Sequence, residues 1–192
     1  MRVFRWITAV VFFLQLPIPL YWFVVHPSVR FWRRHPRAVY YVGLIFSWGL
    51  VTPCLVFFRQ RLMREHPPSP AASTIGLILI ALEVWIFWRV KADLGTARLV
   101  GKTELSGGGE VIGRGIYAHI RHPRYLGSFL AIVGACLMAG KPLAWYVATA
   151  WTLLMWIAIR FEEREMRSRF GASFEEYCRR VPRFLPLPAR SR

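Results

Sequence analysis

Acidic residues are scarce in this chain of 192 residues: 10 Asp and Glu stand against 26 Lys and Arg, a formal net charge of +16. So one-sided a balance points to a polyanionic partner, either nucleic acid or an anionic membrane surface. Cysteine is nearly absent too. Cys54, Cys136 and Cys178 form no CxxC and no paired spacing, which excludes a disulfide framework and a zinc site. Two of them sit inside apolar runs, where a thiol behaves as a small hydrophobe. No repeat of useful length occurs. Lysine is rare beside arginine, a bias that hints at a high-GC bacterial source.

What is present in excess is apolar: 55% of the residues are hydrophobic and 16% aromatic. Apolar runs separated by basic clusters exclude an ordinary soluble domain and mark a polytopic membrane protein. Because the arginines lie between and beside those runs, anionic membrane lipids explain them and nucleic acid does not. The expected fold is all-α, a helical bundle of about five transmembrane helices with a cytoplasmic pocket. Residues 1–192 form a single integral-membrane domain. Residues 1–90 carry three N-terminal transmembrane helices, and 91–192 a long loop, a helical hairpin and a cytoplasmic tail.

Five runs qualify as spans: residues 6–25, 38–58, 71–88, 125–140 and 142–159. A span needs about 20 residues, so the fourth is short and should lean on a neighbour. Lys141 and Pro142 alone separate the last two, which makes them a tight hairpin. The first run is interrupted by Pro17 and Pro19. It reads as a span and not as a signal peptide, since no small-residue cleavage site follows. Alternating the loops puts Arg2, Arg5, Arg59, Arg61, Arg64 and Lys141 on one side and the remaining 20 basic residues on the other. The positive-inside rule then makes the C-terminal tail and the loop before residue 125 cytoplasmic. A bacterial inner membrane is the expected location.

At the mouth of the fourth run stands Gly115-Ile116-Tyr117-Ala118-His119-Ile120-Arg121-His122-Pro123-Arg124-Tyr125-Leu126-Gly127. Polar groups are costly at a membrane boundary unless they hold something. Four of the five histidines precede a proline, His26, His35, His66 and His122, and each such pair suits a helix start. His122 is set apart by its glycine and tyrosine neighbours. Upstream, Ser106-Gly107-Gly108-Gly109 lies in a loop of roughly thirty residues, a length that suggests function or disorder. Downstream, helix continues past residue 159 into a charged segment and stops at Gly171. There Glu163 meets Arg167, and Glu165 meets Arg169, at i,i+4. Glu162 faces Met166 at that spacing, so it ranks above Glu163 as a ligand-binding carboxylate. Glu83, buried in the third run, is either paired with Arg89 or in contact with substrate.

Residues 111–127, the Glu162-Glu163 pair and the tail Phe170-Gly171 … Tyr177 … Val181-Pro182-Arg183-Phe184-Leu185-Pro186 together resemble the isoprenylcysteine carboxyl methyltransferases, which belong with the phospholipid methyltransferases. The likeness spans residues 94–186 in the order G-x-Y, R-H-P-x-Y-x-G, E-E, F-G and V-P-R-F-x-P. Phe174 stands where that family often has tyrosine, and Gly113-Arg114 replaces a Thr-Ser-like pair. The resemblance implies an S-adenosylmethionine-dependent methyltransferase acting on a lipophilic substrate held in the bilayer. It makes Gly115, Tyr117, Arg121, His122, Tyr125, Gly127, Glu162 and Glu163 the cofactor candidates, and Arg160 the cation that orients an acceptor carboxylate.

The residue types suit that ligand. Arg121, His122 and the helix start at Pro123 can hold its carboxylate. Glu162 or Glu163 can accept from its ribose or ammonium, and Tyr117 and Tyr125 can stack on adenine or lie against the sulfonium. Two other readings compete: a nicotinamide-dependent sterol-type reductase, which would need more basic residues for its phosphates, and a non-catalytic lipid-binding membrane protein.

Overall fold

The computed structural model describes residues 2–63, 68–99 and 109–185, and every regular element among them is helical. The elements are α1 (Arg2–Gln15), α2 (Ile18–Val25), α3 (Val29–Trp32), α4 (Pro36–Leu62), α5 (Pro70–Leu99), a 3-10 turn (Gly115–Ala118), α6 (Pro123–Ala139), α7 (Pro142–Phe170) and α8 (Ala172–Arg180). Four stretches are long and apolar enough to cross a membrane: Val3–Val25, Arg37–Leu62, Pro70–Gly95 and Pro142–Phe170. Apolar but shorter, α6 completes the bundle. Arg64, His66, Ser106, Gly107, Gly108 and Pro186 lie outside the described residues.

Local chemistry sets the boundaries. Pro17 and Pro19 carry no N–H, so the first run divides into α1 and α2 at residues 16–17. Pro36, Pro70, Pro123 and Pro142 each open a helix, the position where a missing N–H costs nothing. Gly140, in the left-handed region at φ 58°, ends α6 and turns the hairpin. Two boundaries differ from the expected ones. The second run extends from residue 58 to 62, because its polar end residues are good helix formers and need no bilayer. The third extends from 88 to 99, with non-helical Gly95 (φ 73°, ψ 160°) at the bend.

The short helix is the central one. Most of α6 is buried, and it packs against α5, α1 and α7. Gly76 and Gly134 bring the backbones of α5 and α6 into contact: a Cβ at Gly134 would stand 2.6 Å from the Gly76 carbonyl oxygen. Small residues allow that approach, and dispersion then stabilises the pair where lipid supplies no hydrophobic drive. Phe12, Ile132, Ala135, Cys136, Trp151, Met155 and Ile159 form the core around it. A helix so covered need not match the bilayer thickness. The N-terminal ends of α4 and α6 and the C-terminal ends of α5 and α7 meet at one end of the bundle, and the polar residues gather there.

Candidate functional site

The polar side chains of the site at that end come from the start of α6, the 3-10 turn before it, the C-terminal part of α7 and the chain after α8. His122 precedes Pro123 at the start of α6, with φ −121° and ψ 56°. His35, in the echoing Arg34-His35-Pro36-Arg37, has nearly the same backbone (φ −130°, ψ 57°) at the start of α4. One backbone serves both His-Pro pairs as a helix start, but His35 is exposed and His122 is buried. The difference comes from what covers His122. The chain after α8 returns across the motif, and Arg121 and His122 donate their backbone N–H groups to the Pro182 and Arg183 carbonyls at 2.8 and 3.0 Å.

Glu163 is the hub, only 1% exposed. Arg183 reaches it through Nε at 2.9 Å and Nη2 at 2.7 Å, Arg121 Nη1 lies at 3.1 Å, and His122 Nε2 at 3.2 Å. Arg167 is more remote at 3.7 Å. A buried carboxylate needs such a set of donors. Glu163 is therefore structurally committed, tying α7, the motif and the tail together. Glu162 differs. Tyr125 Oη donates to it at 2.5 Å, and no cation among the described residues pairs with it.

Tyr117, Arg121, His122, Arg124, Tyr125, Glu162 and Glu163 line one cavity of about 380 Å³. Ile18, Tyr21, Trp22, Leu44 and Trp48 from α2 and α4 supply its apolar wall, and Val111, Met166, Phe174 and Tyr177 close it on the tail side. A pocket of this size, apolar with a few convergent polar groups, suits a small organic ligand. Arg121 brings a cation to this wall, and its Nε is buried with no hydrogen-bond partner among the described residues. The Arg121 guanidinium, the singly engaged Glu162 carboxylate and the faces of Tyr117 and Tyr125 together fit a ligand with an anionic end, hydroxyls and a flat ring.

Tyr117, Arg121, His122, Tyr125, Glu162 and Glu163, singled out in the sequence, thus share one cavity. Gly115 and Gly127 are not on its wall. Gly115 has φ +57°, and a Cβ there would collide with the Asp93 carboxylate, which accepts the Ile116 N–H at 2.8 Å. Gly127 is buried against α5, where a Cβ would lie 3.3 Å from Ile86. Both admit a neighbouring side chain. Arg160 is exposed and also off the wall. Ile159, Glu163 and Met166 occupy the inward face of α7, and one residue beyond Ile159 the helix has turned about 100°.

Several partnerships escaped the sequence reading. Glu83 pairs with Arg124 at 3.0 Å and accepts from Gln15 Nε2 at 3.3 Å, so its partner is not Arg89. Asp93 anchors the loop that carries Tyr117, and Tyr177 Oη donates to the Tyr117 carbonyl at 2.8 Å. His26 bonds Glu165 at 2.8 Å, fastening the α2–α3 turn to the end of α7 beside Arg33 and Arg169. Tyr177 and Arg183 had a signal in the sequence, their place in the family-like tail, whereas Asp93, Arg124 and Gln15 had none.

On the tail side the titrations follow burial. Burial pushes the Cys178 thiol up, and the guanidinium of Arg121, 2.7 Å away, only partly opposes it. Burial likewise raises the Tyr177 hydroxyl. The hydrogen bond to Glu163 holds Arg183 above its ordinary value.

The phospholipid methyltransferase family model matches residues 71–173. Methanethiol S-methyltransferase 2 of Bradyrhizobium diazoefficiens is 30% identical over 143 residues, 65% of this chain and 53% of that protein. The protein-S-isoprenylcysteine O-methyltransferase of Schizosaccharomyces pombe is 37% identical over 78 residues, 38% of this chain and 31% of that one. A probable protein-S-isoprenylcysteine O-methyltransferase of Oryza sativa subsp. indica is 36% identical over 82 residues, 41% of each chain. The chain thus spans about half or less of the length of these relatives. No solved structure matches it.

Proposed function

Since the chain belongs to the phospholipid methyltransferase family, whose model covers residues 71–173, we propose that it moves a methyl group from S-adenosylmethionine to a lipophilic acceptor drawn from the bilayer. One observation carries this reading. A single cavity joins the Arg121, Tyr125 and Glu162 side chains to an apolar wall from α2 and α4. The polar part suits the donor and the apolar part a lipid-like chain.

In this arrangement the Arg121 guanidinium binds the donor carboxylate, and Glu162 accepts from the ribose hydroxyls or the ammonium. Tyr117 and Tyr125 offer ring faces to the adenine or the sulfonium, an attraction of roughly 0.5–2 kcal/mol. Glu163 and Arg183 act indirectly, holding Arg121 and His122 in place. Bound there, S-adenosylmethionine supplies an electrophilic methyl that leaves sulfur, as a neutral thioether, when an acceptor lone pair displaces it. Such displacement depends chiefly on alignment, which the packed helix ends supply. A carboxylate acceptor needs no base; an amine or thiol must lose a proton first. The excess of arginine at this end supports a cytoplasmic site and C-terminus, and a bacterial inner membrane is the location we propose.

The test is incubation of the purified protein with methyl-labelled S-adenosylmethionine and a total membrane extract, followed by identification of the labelled product. Glu162→Gln and His122→Ala should each abolish labelling while the protein still inserts. Retained labelling in both would remove these residues from the site.

A further inference from the structure

Arg124 stands between Pro123 and Tyr125 and is a cation on the cavity wall that the methyl-donor assignment leaves unused. Its environment is unusually specific. Nη1 serves two partners, Glu83 Oε1 at 3.0 Å and Ser128 Oγ at 2.9 Å. The guanidinium carbon lies 5.2 Å from the centre of the Phe87 ring. Nη2 and Nε take no partner among the described residues. Pairing with Glu83 alone would need only the Nη1 edge. The rest of the planar fork, held by three contacts, is free to donate in parallel to a two-oxygen anion.

Position separates this cation from the donor-holding group. Arg121 and His122 turn toward Glu163 and the tail. Arg124 turns the other way, toward Glu83, which also takes Gln15 of α1. Gln15 is three residues from Ile18, the first residue of the apolar wall. Arg124 therefore sits toward the membrane-facing part of the cavity, near Ile18, Tyr21, Leu44 and Trp48. Arg160, which the sequence suggested for an acceptor, is exposed and off the wall.

We propose that Arg124 determines the acceptor: its open edge binds an anionic oxygen group, carboxylate or phosphate, of an amphiphile whose chain lies along α2 and α4. Glu83 and Gln15 are positioning residues that hold the fork at the right angle. The inference rests on the methyltransferase reading for the word acceptor, but the binding it describes does not depend on the donor.

The experiment uses the full chain in nanodiscs of phosphatidylcholine with a diazirine-bearing palmitic acid as the photolabel. Palmitate, hexadecyl phosphate and palmitamide compete, and S-adenosylhomocysteine binding is measured in parallel. In the wild type one of the two anions should compete roughly tenfold better than the neutral amide, as one charge-assisted pair requires; which of them does so identifies the headgroup. Arg124→Gln should erase the preference while S-adenosylhomocysteine still binds, and Arg124→Lys should restore part of it. Because Arg124→Gln leaves Glu83 buried without its cation, Arg124→Gln combined with Glu83→Gln repeats the test in a neutral background and should again show no preference. Equal competition by all three ligands in the wild type, or a wild-type preference in either glutamine variant, overturns the proposal. Failure of S-adenosylhomocysteine to bind the wild type would instead overturn the donor assignment.

Discussion

Arg183 closes on Glu163 with two hydrogen bonds, Nε at 2.9 Å and Nη2 at 2.7 Å, and so pins the tail onto the end of α7. The pair is asymmetric: the Glu163 side chain is 1% exposed and that of Arg183 28%. Removing one partner of a buried pair costs about 3–5 kcal/mol, mostly through the charge left behind. Glu163→Gln strands Arg121, His122 and Arg183 together, and should cost the upper part of that range. Arg183→Ala leaves Glu163 with Arg121 and His122 and should cost less. Thermal unfolding in detergent measures both, and limited proteolysis should release the segment after residue 180 first. Equal costs would mean that Glu163 is not the shared anchor.

Raised titrations on the tail side predict alkaline sensitivity. Burial pushes both Cys178 and Tyr177 up, so the folded state keeps protons that the unfolded chain gives up. Their contribution is complete below the ordinary thiol value of about 8.5 and falls as pH rises beyond it. The melting temperature should therefore decline from about pH 8.5 upward, with Cys178→Ala making the decline shallower below the tyrosine range near 10. A decline of unchanged steepness in Cys178→Ala would show that this thiol is not responsible. Alkylation at pH 8 should also be slower at Cys178 than at a free thiol, because the neighbouring Arg121 does not overcome burial.

At the crossing of α5 and α6, a Cβ on Gly76 would lie 2.8 Å from the Gly134 carbonyl oxygen. The obstacle is backbone, so the helices must separate to admit it. Gly134→Ala and Gly76→Ala should each destabilise by about 1–3 kcal/mol, the usual cost of overpacking. The same helices carry Glu83 and Arg124, so Gly134→Ala should also weaken binding at the cavity. Loss of thermal stability with every ligand affinity intact would show that the crossing and the site are mechanically independent.

The parts of the structure legible in the sequence were those with one physical cause. Apolar runs gave the spans, proline gave the helix starts, and Lys141-Pro142 gave the hairpin. The i,i+4 pairs Glu163–Arg167 and Glu165–Arg169 are present at 3.7 and 3.3 Å. Contacts over long separations could not be read that way. Counting neighbours along α7 correctly isolates Glu162 from helical partners, but says nothing of Tyr125, 37 residues earlier, which supplies its hydrogen bond. Arg89 is the nearest cation to Glu83 in sequence, yet the cation in space comes from α6. The same spacing rule gives Glu163 a surface arginine and misses Arg183, which arrives only when the tail folds back.

Gly115 and Asp93 form a joint whose failure should be visible in ligand binding. Gly115 is left-handed at φ +57°, and its place beside the Asp93 carboxylate leaves no room for a Cβ. Gly115→Ala should add about 1–2 kcal/mol of backbone strain to the collision itself. Asp93→Ala leaves the Ile116 N–H without its acceptor, a loss of about 1–3 kcal/mol where the group stays buried. Either change loosens the turn that presents Tyr117, so both should raise the Kd for S-adenosylhomocysteine about tenfold or more. Isothermal titration supplies the number. Tight binding retained in both variants would place Tyr117 outside the donor site.

Tyr125 and Glu162 offer the sharpest separation between positioning and charge. Their hydrogen bond, 2.5 Å long, joins α6 to α7, and residues so linked are expected to couple by about 0.5–3 kcal/mol. Tyr125→Phe keeps the ring face and the Glu162 charge but frees the carboxylate to rotate, so S-adenosylhomocysteine binding should weaken only a few-fold. Glu162→Gln removes the charge and should cost at least tenfold, as loss of a charge-assisted hydrogen bond does. The double variant should bind no worse than Glu162→Gln, because the hydroxyl acts through the carboxylate. Strictly additive losses would mean that Tyr125 and Glu162 reach the ligand separately and that their hydrogen bond has no part in shaping the site.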